Sequence, residues 1–199
     1  MSRALLIAGA AVAALSLAAC NKPATKTEGA ATPAEQAATP DANPAATIPT
    51  PSNEAKAPDF VTKAAASDMF EISAAKLAAT RATDADVKAF AKMMVADHTK
   101  STEALKKAIT DSGQALTLPT ILPDDLKDKL DDLTKADAKD FDANYMDNQV
   151  DAHQAALDLM QRYAQDGDVA QIKTFAASTA PVVQKHLDEA RKVRDAVKK

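Results

Sequence analysis

The sequence predicts an all-α fold, a four-helix bundle over residues 58–199. A lipoprotein signal peptide (1–19) and a disordered tether (20–57) precede it. Three observations carry this reading. The 199-residue chain holds only 4 glycines, no tryptophan and 4% aromatic residues, so the glycine-dense turns and aromatic strands of a β-sandwich or barrel are missing. Prolines crowd into the stretch before residue 58. Beyond it, apolar residues recur at alternating steps of four and three, the spacing that lines a bundle core. Some function classes fall away at once. There is no glycine cluster to cradle a dinucleotide or a nucleoside triphosphate. Net charge is -4 with no basic stretch, which argues against nucleic acid as a partner. A single cysteine excludes an internal disulfide and a cysteine-rich zinc site.

The first twenty residues read as an address. Arg3 supplies a positive start, and Ala4 to Leu17 form an uncharged apolar run. That run has the length of a signal-peptide core and falls short of the roughly 20 residues of a membrane span. Leu17-Ala18-Ala19-Cys20 then resembles a bacterial lipobox, in which the cysteine is lipidated and becomes the mature N-terminus. Cys20 is thus the expected membrane anchor, and several acyl chains give the stable hold that one chain does not. By resemblance to bacterial lipoproteins, Asn21 carries no inner-membrane retention signal. The expected location is the cell envelope, facing the periplasm, with the outer membrane favoured.

Residues 20–57 read as a spacer. Pro23, Pro33, Pro40, Pro44, Pro49 and Pro51 interrupt any helix, and Ile48 is the only large apolar residue. Such a segment has too little to bury to order itself.

The helices follow in order. The first spans about 59–80 and the second about 84–111, with Thr83 and Asp84 offering a cap between them. A crossing segment bracketed by Pro119 and Pro123 leads to a short helix ending near 135. The acidic Asp124 and Asp125 suit the positive start of that helix. The third long helix covers about 137–165 and the fourth about 169–197, with Pro181 expected to kink or split it. Gly113 and Gly167 stand where helical patterns end, a place for left-handed backbone. Val87-Lys88-Ala89-Phe90-Ala91 and Ile172-Lys173-Thr174-Phe175-Ala176 form a faint repeat, so the bundle reads as two similar hairpins.

Each apolar seam holds one side chain able to bind a metal. The seams are Phe60, Ala64, Ser67, Glu71, Ala74, Ala78; Val87, Ala91, Met94, His98, Ser101, Leu105, Ala108; Met146, Val150, His153, Leu157, Met160, Ala164; and Ile172, Ala176, Thr179, Val183, His186, Ala190, Val193, Val197. Glu71, His98, His153 and His186 therefore project toward one interior. If the crossing segment runs the length of the bundle, the first three share a height and His186 sits higher by about 7 Å, at ~1.5 Å per residue. Three imidazoles and a carboxylate suit one ion of zinc, iron, manganese or copper, without choosing among them. Asp97, Tyr145, Gln149 and Asp151 are candidates to orient the rings. The same four side chains also suit a structural polar layer that sets helix register with no metal.

Phe70-Glu71, Val87 to Ala91, Asp97-His98-Thr99, Phe141-Asp142-Ala143-Asn144-Tyr145, Gln149 with His153, Phe175-Ala176 and His186-Leu187 together resemble a bacterial envelope family. It is catalogued as the domain of unknown function number 4142, within the ferritin-like superfamily. The resemblance implies a four-helix, ferritin-like bundle and leaves the activity open. The chain also departs from the superfamily's di-iron pattern of Glu-x-x-His on two helices. Val95, Val150 and Val183 stand three residues before the three histidines.

Two functions compete on these observations. One is a lipid-anchored, non-catalytic envelope module, binding a protein or small-molecule partner or serving in stress. The anchor, the tether and the lack of a nucleophile constellation favour it. The other is a mononuclear metal-binding bundle, for storage, buffering or redox, built on Glu71, His98, His153 and His186.

Overall fold

The computed structural model describes residues 53–198. The signal peptide, Cys20 and almost all of the tether lie outside the described residues. A single 3-10 turn (Asn53–Ala55) leads into α1 (Ala57–Arg81), α2 (Ala85–Ser112), α3 (Asp124–Lys135), α4 (Ala138–Asp166) and α5 (Ala170–Val197). Among the described residues there is no strand, and no helix is long and apolar enough to cross a membrane. The bounds follow from local chemistry. Pro58 occupies the first turn of α1, where its missing N–H has no intrahelical partner to lose. Asp84 caps α2 by accepting from the amides of Asp86 and Val87 at 2.8 and 3.1 Å. Gly113 ends α2 at φ 67, the left-handed position that glycine takes without strain.

The four long helices form the bundle and α3 lies across it. α1 packs against α2 and α4, and α5 against α4 and α2. One side chain shows the connectivity. Asp142, near the start of α4, accepts from the amides of Thr83 (3.0 Å) and Asp84 (2.8 Å) and from the Thr83 hydroxyl (2.7 Å). The start of α4 therefore sits beside the start of α2. Since α2 ends at the far end, residues 113–137 must travel the whole length. This is a bundle with one long crossover, the connection found in ferritin-like folds. Arg81 fastens the returning segment. Its guanidinium donates to the carbonyls of Leu133, Thr134 and Ala136 and lies 4.7 Å from the centre of the Phe141 ring.

The opposite end has its own clasp. Asp168 accepts from the Ala57 amide at 2.9 Å and from the Tyr163 hydroxyl at 3.1 Å. Tyr163 stacks on Phe60, with centroids 4.1 Å apart. Glu54 pairs with both Lys63 and Arg162.

Two local expectations are corrected. Gly167 is not left-handed: its φ is -59. Glycine is needed there for space, because a Cβ would stand 2.5 Å from the Tyr163 carbonyl oxygen and from its ring. Pro181 does not split the last helix, which runs unbroken from Ala170 to Val197. Ala177, whose carbonyl loses its amide partner to that proline, is exposed and open to water.

The seam residues form the core. Phe60, Ala74, Val87, Met94, Leu105, Met146, Ile172 and Ala176 are all buried. The repeat is structural too, since Val87, Phe90 and Ala91 are buried as Ile172, Phe175 and Ala176 are. The height expected for His186 also changes. Its ring centroid lies 5.8 Å from that of His98 and 5.5 Å from that of His153, so the offset of about 7 Å is not found.

Candidate metal centre

The middle of the bundle is polar. His98 from α2, His153 from α4 and His186 from α5 meet there. Ring centroids are 5.5 Å apart for His98–His153, 5.8 Å for His98–His186 and 5.5 Å for His153–His186. All three are buried, His153 to 1% exposure.

Each ring is oriented by a different group. Nδ1 of His98 donates to Oδ1 of Asp68 at 2.8 Å, and the Thr102 hydroxyl holds the other Asp68 oxygen at 3.0 Å. Nδ1 of His153 donates to the backbone carbonyl of Gln149, one turn earlier in α4, at 2.8 Å. Nε2 of His186 donates to Oδ2 of Asp97 at 3.2 Å. Carboxylates and carbonyls accept only, so these bonds assign the tautomers. In the neutral rings the lone pairs fall on Nε2 of His98, Nε2 of His153 and Nδ1 of His186. Those three nitrogens have no hydrogen-bond partner. One nitrogen from each ring lies within 4.8 Å of the other two.

The electrostatics follow from burial and neighbours. Burial, and then repulsion from a charged His98, push His153 down to about 4. Burial, His153 and His98 push His186 down to about 4 as well. Burial alone would lower His98 too, but Asp68 first, with Glu71 and Asp97 behind it, holds it above the ordinary histidine range. Two rings thus stay neutral at pH 7, as ligands must, while the carboxylates around His98 favour its protonated form.

The structure gathers three of the four seam candidates at one point and sets Glu71 behind them. Glu71 is buried, and its Oε2 accepts from Nε2 of Gln149 at 2.6 Å. Its Oε1 lies 3.9 Å from Nδ1 of His153, the nitrogen already spent on a carbonyl. Glu71 therefore faces the outer edge of the His153 ring. Burial raises its pKa, and His98 and Gln149 offset part of that.

The residues expected to orient the rings divide. Asp97 holds His186, and Gln149 holds His153 through its main chain rather than its amide. Tyr145 is buried with an unpartnered hydroxyl, which burial first and the Glu71 charge second keep protonated. Asp151 is exposed and takes no part. Asp68 was missed. It is one position from the seam residue Ser67 and three before Glu71, and an acid on that half-buried flank was the available signal.

The family described as Domain of unknown function (DUF4142) matches residues 41–193. The chain belongs to that family. Comparison with curated proteins and with solved structures gives no match. The DUF4142 residues that carried the resemblance now have places. Phe70, Glu71, His98, Phe141, Asp142, Tyr145, Gln149, His153 and His186 are all buried, and Asp142 and Gln149 make the contacts described above. The long crossover is consistent with the ferritin-like connectivity the resemblance implied. Among the described residues the His cluster is a single triad, and Val95, Val150 and Val183 stand three residues before its members where a di-iron protein would carry glutamates.

Proposed function

We propose that this DUF4142 protein is a lipid-anchored envelope protein whose bundle binds one transition-metal ion through His98, His153 and His186. The observation that carries the reading is that three clustered rings each keep one buried, unpartnered nitrogen while the protein fixes the other, and that one nitrogen of each ring lies within 4.8 Å of the other two. A buried polar atom left without a partner costs about 1–3 kcal/mol. Cation binding accounts for all three at once, and outer partners of this kind are what metal-bound histidines carry.

The geometry is close to what an ion requires. Nitrogens about 3.4 Å apart satisfy tetrahedral bonds of roughly 2.0–2.1 Å, so the rings need draw together by little more than about 1 Å. Three protein ligands leave a fourth position for water or an exogenous group, the arrangement of exchangeable and reactive sites rather than closed structural ones. Imidazole donors suit zinc, copper and iron alike. Cys20 and the proline-rich spacer support an anchor at the periplasmic face of the envelope, the outer membrane favoured.

The test is elemental analysis of the Cys20→Ser chain, secreted to the periplasm and purified without a histidine tag. The expected result is about one equivalent of transition metal after reconstitution, lost in His98→Ala and His153→Ala. Less than about a tenth of an equivalent before and after reconstitution would overturn the reading.

A further inference from the structure

Resting on the metal reading above, we propose that the groove between α2 and α5 is the route by which a divalent cation enters and leaves, with Asp97, Val182 and His186 as its inner wall. A cavity of ≈ 30 Å³ lies against the rings and counts His98 and His186 among its walls. It has room for about one or two waters beside the ion, since one needs roughly 10–15 Å³. Outside it lies a groove of ≈ 500 Å³, open to solvent, that also includes Asp86, Lys185 and Glu189. Asp97, Val182 and His186 border both spaces. The site and the solvent are one layer of side chains apart.

That layer is the loosest part of the centre. The Asp68 and His153 side chains are 7% and 1% exposed, whereas the Asp97 side chain is 30% exposed. The His186–Asp97 bond is also the longest of the three, at 3.2 Å against 2.8 Å. Asp97 shares its other oxygen with Lys100, at 3.0 Å. The groove's lining carries three carboxylates, Asp86, Asp97 and Glu189, and one ammonium, Lys185, with Lys100 paired to Asp97 and Lys192 to Glu189 from outside the lining. Like-signed charge in a cleft concentrates the opposite ion and speeds its arrival. The buried His186, a triad member with its Nδ1 unpartnered, forms the groove's floor and makes this more than an acidic patch.

The experiment follows cobalt(II) uptake, and its release to a chelator, by stopped-flow absorption on the untagged Cys20→Ser chain. Val182→Trp plugs the groove and leaves every ligand in place. Uptake and release should both slow by about tenfold, with stoichiometry and affinity unchanged. Lys185→Glu reverses the one cation among the lining residues and should speed uptake several-fold at low salt, an advantage that fades near 1 M salt, as screening requires. Acceleration that disappears at high salt is an effect that damage to the fold does not produce, so this variant decides the matter if Val182→Trp folds poorly. Ser178→Trp, in a separate depression toward the other end of the same helix pair, should change neither rate. Normal cobalt binding with unaltered rates in both groove variants, or equal slowing by Ser178→Trp, would overturn the route. Failure of every protein to bind cobalt would instead overturn the metal reading beneath it.

Discussion

Asp68 is the sharpest probe of the centre because it touches His98 and never the shared point. Its Oδ1 accepts from Nδ1 of His98 at 2.8 Å while Thr102 steadies its Oδ2 at 3.0 Å. Asp68→Asn keeps the shape. The amide oxygen still accepts from Nδ1, and the amide nitrogen turns to the Thr102 hydroxyl, so the ring stays aimed but loses the negative charge that strengthens it as a donor. Asp68→Ala removes both. Loss of such an outer partner lowers metal affinity by about 10–100-fold, which converts to about 1.4–2.7 kcal/mol at 1.36 kcal/mol per decade. The asparagine variant is expected near the lower figure and alanine near the upper. Alanine also strands Nδ1 in a buried site, which should cost the metal-free fold about 1–3 kcal/mol. Competition titration of zinc against a chromophoric chelator reads the first effect, and urea unfolding reads the second. The exposed Asp151→Asn is the control and should match wild type. A folded Asp68→Ala protein that binds zinc within about twofold of wild type would refute the idea that this carboxylate prepares the ring.

Four further outcomes test the fold. Gly167→Ala should destabilise by about 1–3 kcal/mol in chemical denaturation, because its Cβ would meet the Tyr163 carbonyl at 2.5 Å. Gly113→Ala, with open space but φ 67, should lose only about 1–2 kcal/mol, from backbone strain. Arg81→Ala should release the crossover selectively: amides of α3 exchange faster with solvent while those of α1 and α2 keep their protection, read by hydrogen exchange with mass spectrometry. Tyr163 should make stability fall in alkali. Burial first, and Asp168 second, push its hydroxyl up to about 12. A folded pKa raised above the unfolded value of 10 gives stability that is complete below pH 10 and lost as pH rises toward 12. The loss relative to Tyr163→Phe is at most about 2.7 kcal/mol at 1.36 kcal/mol per unit, and roughly half that with the hydroxyl screened near the open end of the bundle. Denaturation midpoints for the two proteins that stay parallel from pH 9 to 11.5 would contradict it.

Read alone, the amino-acid order determined the helices and the face each one buries. The four-three spacing of residues such as Val87, Ala91, Met94 and His98 is a local property of a 3.6-residue turn, and Asp84, Gly113 and Pro123 mark ends through their own backbone chemistry. It also brought all three histidines inward, since each replaces an apolar residue in a seam. Direction was another matter. A seam says which side of a helix is inside, but not how far the helix is rotated or where a ring nitrogen points. Asp68, one step off the seam, could thus become the partner of His98, while Glu71, on it, turned to Gln149 behind His153. Connectivity was equally hidden, because a 25-residue link can either cross the bundle or fold back at one end. Asp142 meeting Thr83 and Asp84, residues 59 and 58 positions away, decided it. Only the packed structure supplies such contacts, because they depend on helix ends distant in the chain arriving together.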